Sequence, residues 1–292
     1  MLYDVKLKLS YTYDAPVSGG RHLVRVFPVS LPNIQRVIAS SLHLEPGPAE
    51  NSEFADFFGS RVASLAYRSA HDALEIAMTA RVEVFRTPMN VSNAPDSLTL
   101  AEQIAATWDM GWRSPHHYLS TSPRIVLTAD ITQYARQSLT ATSDVFAAAT
   151  DFCMRIHRDF AYDGEATLVD TPVTEAFSLR RGVCQDFAHI MIAGLRGLGI
   201  PAGYVSGFLR TIPPEGQPRL EGADAMHAWV KVWCGSQIGW VEFDPTNAMQ
   251  AGPDHIVIGY GRDYSDVTPI VGILRSAGGQ DTTQAVDVIE VN

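Results

Sequence analysis

Arg180-Arg181-Gly182-Val183-Cys184-Gln185-Asp186-Phe187-Ala188-His189-Ile190-Met191-Ile192-Ala193-Gly194-Leu195-Arg196-Gly197-Leu198-Gly199-Ile200-Pro201 is the stretch on which the fold turns. Gly182 loosens the chain two residues before a cysteine, and Phe187, Ile190, Met191, Leu195 and Leu198 then recur at helical spacing until Gly199 and Pro201 stop the pattern. The spacing predicts a helix with Cys184 at its N-terminus. There the free backbone N–H groups and the positive end of the helix dipole favour a thiolate, which is the nucleophilic form of cysteine. An ordinary buried cysteine is the other reading of this stretch taken alone, so the rest of the chain has to decide between them.

The chain has 292 residues, 46% hydrophobic and 18% charged, enough for one large or two modest cores. A net charge of −10 with no Lys/Arg-rich run argues against a nucleic-acid partner. The N-terminus alternates from its first residues instead of showing a basic region followed by an apolar run, and no uncharged stretch is long enough to span a bilayer. The expectation is a cytoplasmic protein with no membrane partner. Cys153, Cys184 and Cys234 are an odd number at wide spacing, resembling neither a disulfide framework nor a zinc site. Free thiols fit a reducing compartment, and neither a metal nor a cofactor is expected.

Outward from the central stretch, the first third reads as strands. Tyr3, Val5, Leu7, Leu9, Tyr11 and Tyr13 alternate with Asp4, Lys6, Lys8, Ser10 and Thr12, a half-buried strand of period two. Similar runs cover 22–29, 34–44, 61–69 and 74–85, separated by Ser18-Gly19-Gly20, Pro46-Gly47-Pro48, Gly59-Ser60 and His71-Asp72. They predict an antiparallel β-sandwich-like domain over residues 1–90, with the linker within Thr87 to Pro95. The overall class is therefore α+β, with a second domain over residues 91–292.

Thr99 to Trp112 is helical in composition, and Phe146, Ala149, Cys153, Ile156 and Phe160 form an apolar stripe behind Asp144, a plausible N-cap. Cys153 on that stripe reads as core, and His157-Arg158-Asp159 as a solvated helix face. After the Cys184 helix, Ala202 to Leu209 is strand-like. A polar Pro/Gly-rich loop from Thr211 to Gly222 follows, of the kind that carries substrate contacts.

Two eight-residue strand-like runs, 227–234 and 237–244, flank Gly235-Ser236. A two-residue type II′ turn there would pair Cys234 with Gln237, Val230 with Val241 and His227 with Asp244. A carboxylate would then hold an imidazole across the strands, and Ala228, Val230, Val232, Cys234, Val241 and Phe243 would form the core face. Cysteine at a helix start, histidine and orienting aspartate together make the full set for acyl transfer through a thioester. Jointly they favour catalysis over the structural reading of each. His189, five positions beyond Cys184, points to another helix face and is the weaker candidate base. A metal site is disfavoured because no second histidine or cysteine stands at ligand spacing.

Gly182 to His189, Leu195 to Ala202, His227-Ala228-Trp229-Val230, Trp240 to Asn247 and Gly261 to Pro269 closely resemble the bacterial transglutaminase-like proteins of the papain-like cysteine enzyme superfamily. The resemblance covers nearly the whole chain, including a strand-rich N-terminal region. It implies a papain-like/transglutaminase-like core in which the nucleophile helix packs on an antiparallel sheet. It also implies catalytic roles for Cys184, His227 and Asp244, and a peptide or amide substrate. Peptidases, amidases and protein-crosslinking transglutaminases all occur in that superfamily. Hydrolysis, transfer to an amine, and a non-catalytic binding module of the same fold are the three functional readings. No calcium-loop pattern occurs, so calcium dependence is not expected. Arg262, Asp263 and Tyr264 belong to a family motif read as a brace or a substrate contact, and Asp186 as a stabiliser of the helix's first turn.

Overall fold

The computed structural model describes residues 1–211, 222, 224–275 and 278–291. In chain order the elements are β1 (Leu2–Val24), β2 (Gln35–Glu45), β3 (Glu50–Ala55), β4 (Arg61–Ala66), β5 (His71–Val84), α1 (Ser97–Ala105), a 3-10 turn at Pro115–Tyr118, α2 (Ala129–Ala141) and α3 (Val145–Asp159). Then come β6 (Ala161–Tyr162), α4 (Val173–Leu179), β7 (Arg181–Gly182), α5 (Cys184–Gly197), β8 (Ala202–Leu209), β9 (Ala225–Trp233), β10 (Trp240–Asp244) and β11 (Met249–Gln250). β12 (His255–Gly261), α6 (Tyr264–Val267), β13 (Ile270–Arg275) and β14 (Gln280–Glu290) complete the chain. The polar loop expected from Thr211 to Gly222 lies, apart from its ends, outside the described residues.

The N-terminal strands form one curled antiparallel sheet in the order β2-β5-β1-β4-β3. The expected break at Ser18-Gly19-Gly20 does not end β1. Its first half pairs with β5 and β14, and its second half, past an irregularity, pairs with β4 and β13. One long strand thus serves both halves of a sheet that closes over its own core. The alternation seen in the sequence is the burial pattern: Tyr3, Val5, Leu7, Leu9, Tyr11 and Tyr13 are all buried. β3 shows no such alternation because every one of its residues is exposed at the sheet edge, which is why it escaped the sequence reading. β13 and β14 come from the far end of the chain, so the sheet is built from both sides of the boundary drawn at residue 90.

The second body is a five-stranded sheet in the order β11-β10-β9-β8-β12 with helices packed on it. α5 is central, and seven of its side chains between Phe187 and Leu195, together with α2, α3 and α4, share one core with Ala228, Val230, Val232, Val241 and Phe243. Gly194 lets α5 come close: a Cβ there would sit 2.7 Å from Phe152 and 2.8 Å from Ala135. Asp144 caps α3 as expected, its Oδ1 accepting the Ala147 N–H at 2.9 Å. Phe208, Ile256 and Ile258 of β8 and β12 enter the core of the N-terminal sheet and join the two bodies.

The β9–β10 register differs from expectation by two residues: Phe243 pairs with Val230, Val241 with Val232 and Trp240 with Trp233. The reason is a second glycine. Gly235 and Gly239 both take positive φ (99° and 77°), and the connection closes through Cys234 N–H to Gly239 O at 2.8 Å and Gly239 N–H to Gly235 O at 2.7 Å. A shift of two keeps every side chain on its expected face. His227 therefore meets Asp244 as a diagonal neighbour, not a directly opposed one, which remains within side-chain reach.

Candidate active site

Cys184 is the first residue of α5, so its backbone N–H has no acceptor within the helix. Asp186 ties this start together: its Oδ2 accepts the Val183 N–H at 2.9 Å and the Thr167 hydroxyl at 2.6 Å. Burial raises the Asp186 carboxyl from its ordinary value while those two donors pull it back. The thiol is half-buried, whereas Cys153 and Cys234 are buried among apolar side chains. Burial pushes the Cys234 thiol up to about 12 and raises Cys153 as well.

His227 donates from Nε2 to Asp244 Oδ2 at 2.8 Å, and the ring also interacts with the Cys184 side chain. Burial alone would depress the imidazole. The hydrogen bonds and charges of Asp244 and Cys184 outweigh it and push the His227 pKa up to about 10. At neutral pH the ring is an imidazolium between a carboxylate and a sulfur.

Asp244 is fully buried and every lone pair is used. Oδ2 accepts from His227, from His255 Nε2 at 3.0 Å and from Asn247 Nδ2 at 2.7 Å, while Oδ1 accepts the backbone N–H groups of Thr246 and Asn247 at 2.9 and 3.2 Å. Burial opposes its charge, yet the donated hydrogen bonds hold it well below the usual carboxylate range. His255 Nδ1 accepts the Gly252 N–H at 3.1 Å, so that nitrogen carries no proton and Nε2 must. His255 is thereby fixed as a donor to Asp244. Trp229 stacks on His227 with centroids 6.0 Å apart and meets His255 edge-on at 5.2 Å.

The structure thus brings Cys184, His227 and Asp244 together and adds His255, Asn247 and Trp229. It also adds Tyr162. This residue pairs in parallel with Gly182, packs edge-on against Phe187 with centroids 6.4 Å apart, and has its hydroxyl pKa raised by burial and then by the charge of Cys184. His189 is remote from this chemistry. It is buried, its Nε2 accepts the Tyr264 N–H at 3.3 Å, and burial lowers its pKa to about 4. The Arg262-Asp263-Tyr264 segment is a brace: Arg262 O accepts from Arg196 of α5 at 2.6 Å, and Asp263 Oδ2 accepts the Arg124 N–H at 2.8 Å.

His227, Asp244 and His255 also offer ligand atoms within 4.8 Å of one another, a set that could hold a metal ion. No short sequence spacing announced it, because His255 reaches Asp244 from a different strand. Metal entry would have to displace the protons now donated to Asp244 Oδ2, and would take His227 away from Cys184. Hydrogen bonding accounts for the cluster without a metal.

Residues 3–83 match the bacterial transglutaminase-like N-terminal region, and residues 132–245 match the transglutaminase-like superfamily core. An uncharacterized protein of Mycobacterium tuberculosis is 35% identical over 259 residues, covering 87% of this chain and 82% of its own length. The chain belongs to the transglutaminase-like superfamily. A second uncharacterized relative, from Mycobacterium leprae, is 29% identical over 95% of both chains. A protein-glutamine gamma-glutamyltransferase of Pseudomonas aeruginosa is 37% identical over 103 residues, 34% of this chain but 15% of that protein. Among solved structures, a Cytophaga hutchinsonii protein described as a "putative cysteine protease" superposes over 100% of this chain and 91% of its own, with a TM-score of 0.75 at 21% identity. At that identity it speaks for the fold. The superfamily and these relatives point to an enzyme that works through a cysteine. Among the described residues no helix is long and apolar enough to cross a membrane.

Proposed function

We propose that the chain is a Cys-His-Asp acyl-transfer enzyme that hydrolyses a peptide, isopeptide or other amide bond through a thioester on Cys184. The observation that carries this reading is His227, held by Asp244 at 2.8 Å and near enough to Cys184 for the two side chains to interact. The sulfur attacks the amide carbon. The resulting oxyanion is met by the uncommitted Cys184 N–H, with the Tyr162 hydroxyl as candidate second donor, a role in which each donor is worth about 3 kcal/mol. His227 passes its proton to the leaving amine, and the C–N bond breaks to leave the thioester. It then takes a proton from water as the water attacks, releasing the acid and restoring the thiolate–imidazolium pair. Three unpaired cysteines fit a reducing compartment, and we place the protein in the cytoplasm.

The Pseudomonas glutamyltransferase, similar over the core, favours a second reading in which an amine resolves the same thioester. The distinguishing experiment supplies a glutamine-containing peptide library with and without a primary amine such as putrescine and reads products by mass. New acids or shortened peptides support hydrolysis, amine adducts support transfer, and either must vanish in Cys184→Ala. Products that persist in Cys184→Ala would overturn both.

A further inference from the structure

β9 and β10 turn a second set of side chains to the face away from α5. Glu242 pairs with Lys231 across the strands, yet its carboxylate is already saturated. Oε2 accepts from Arg86 Nη1 and from the Trp229 indole, both at 2.6 Å, and Oε1 accepts from the Tyr260 hydroxyl at 2.8 Å. Lys231 is 2% exposed, and among the described residues its amine makes one hydrogen bond, to the Tyr118 hydroxyl at 2.8 Å, and no ion pair. Its Nζ lies 4.0 Å from the ring centre of Tyr118, 4.4 Å from Trp240, 4.7 Å from Tyr260 and 5.3 Å from Trp112. Burial holds this amine well below its ordinary value.

Lys231, three of those rings and the exposed Arg113 line a cavity of about 270 Å³. An adjoining cavity of about 460 Å³ shares Pro32, Ile34, Trp240 and Glu242 with it, so the two form one trough. Arg86 lines this second part. It is 9% exposed, and among the described residues its Nε and Nη2 have no hydrogen-bond partner and are closed to solvent. Among the described residues Glu242 is the one carboxylate that lines the trough, and it is engaged by Arg86, Trp229 and Tyr260.

We propose that this trough is a binding site, separate from Cys184, for a monocyclic aromatic carboxylate. The ligand's ring lies against Trp112, Trp240 and Tyr260 beside the Lys231 amine, and its carboxylate is met by the positive charge of Arg113 at the exposed edge. The part lined by the rings, about 270 Å³, is at the low end of small-molecule sites, which limits the body held there to about one ring. Because Glu242 also anchors Trp229, which stacks on His227, an occupant would reach the catalytic histidine through two intermediate side chains.

The test titrates benzoate and its neutral analogue benzamide into the full chain by calorimetry, with tryptophan fluorescence in parallel. Benzoate is expected to bind at least about ten-fold tighter than benzamide, a difference of about 1.4 kcal/mol. Lys231→Met should lose at least that factor. Arg113→Glu, at an exposed position, should weaken benzoate about five-fold and serves if Lys231→Met does not fold. Equal affinity for the two probes, unchanged affinity in Arg113→Glu, or no saturable binding up to about 10 mM would overturn the proposal and leave the trough to water. Cys184 alkylation, measured on the same samples, reports separately on the acyl-transfer reading.

Discussion

His227 is the residue whose state the rest of the site controls. Its pKa stands at about 10 against an ordinary 6.5, so the folded protein binds this proton more tightly than the unfolded chain. The stabilisation is complete below the ordinary value and is lost as pH rises through about 10. An NMR titration of the His227 ring should show its midpoint near 10, moving down in Asp244→Asn; a midpoint at or below 7 would contradict the imidazolium held by Asp244. His255→Phe removes one donor from buried Asp244. A hydrogen bond to a charged group is worth about 1.5–3 kcal/mol, so Cys184 alkylation should slow by roughly ten-fold. Cys184, His227 and Asp244 were legible in the sequence because each stands in a local pattern, a helix start or a strand end. His255 and Tyr162 were not. Each joins the site from another strand, through pairings that no periodicity records.

At the scale of elements, α5 and the β9–β10 hairpin do the positioning. The helix boundaries follow from Gly182, Gly199 and Pro201 and were readable. The hairpin register was not, since Gly235-Ser236 is a complete two-residue signal by itself and only the fold shows Gly239 also turning. The even shift preserved the faces, and with them the assignment of His227 and Asp244 to one side. Close packing of α5 gives a sharp prediction. Gly194→Val forces atoms into the space of Phe152 and Ala135, and overpacking of this kind costs about 1–3 kcal/mol. Thermal unfolding should show a lowered midpoint, and an unchanged one would contradict the packing described.

At the scale of the whole molecule, the chain's last strands complete its first sheet. β14 runs beside β1 from Tyr3↔Glu290 to Tyr13↔Gln280, and Val286 and Val288 are buried in the N-terminal core. Composition and turn spacing showed the strand-rich first third, but the return of residues 280–290 is a long-range pairing that the sequence alone leaves open. Removing residues 279–292 should uncover an edge of β1 and forfeit at least about 3 kcal/mol from two valine side chains. The truncated chain should therefore unfold at lower temperature or aggregate. Retention of the full-length midpoint would show that the sheet closes without β14.

The most direct test of the acyl-transfer account is the rate of iodoacetamide alkylation at Cys184, read by peptide mass spectrometry in the native protein and in His227→Ala. The account predicts fast labelling of Cys184, protection of buried Cys153 and Cys234, and a loss of at least about ten-fold at Cys184 when His227 is removed. Equal Cys184 rates with and without His227 would contradict it.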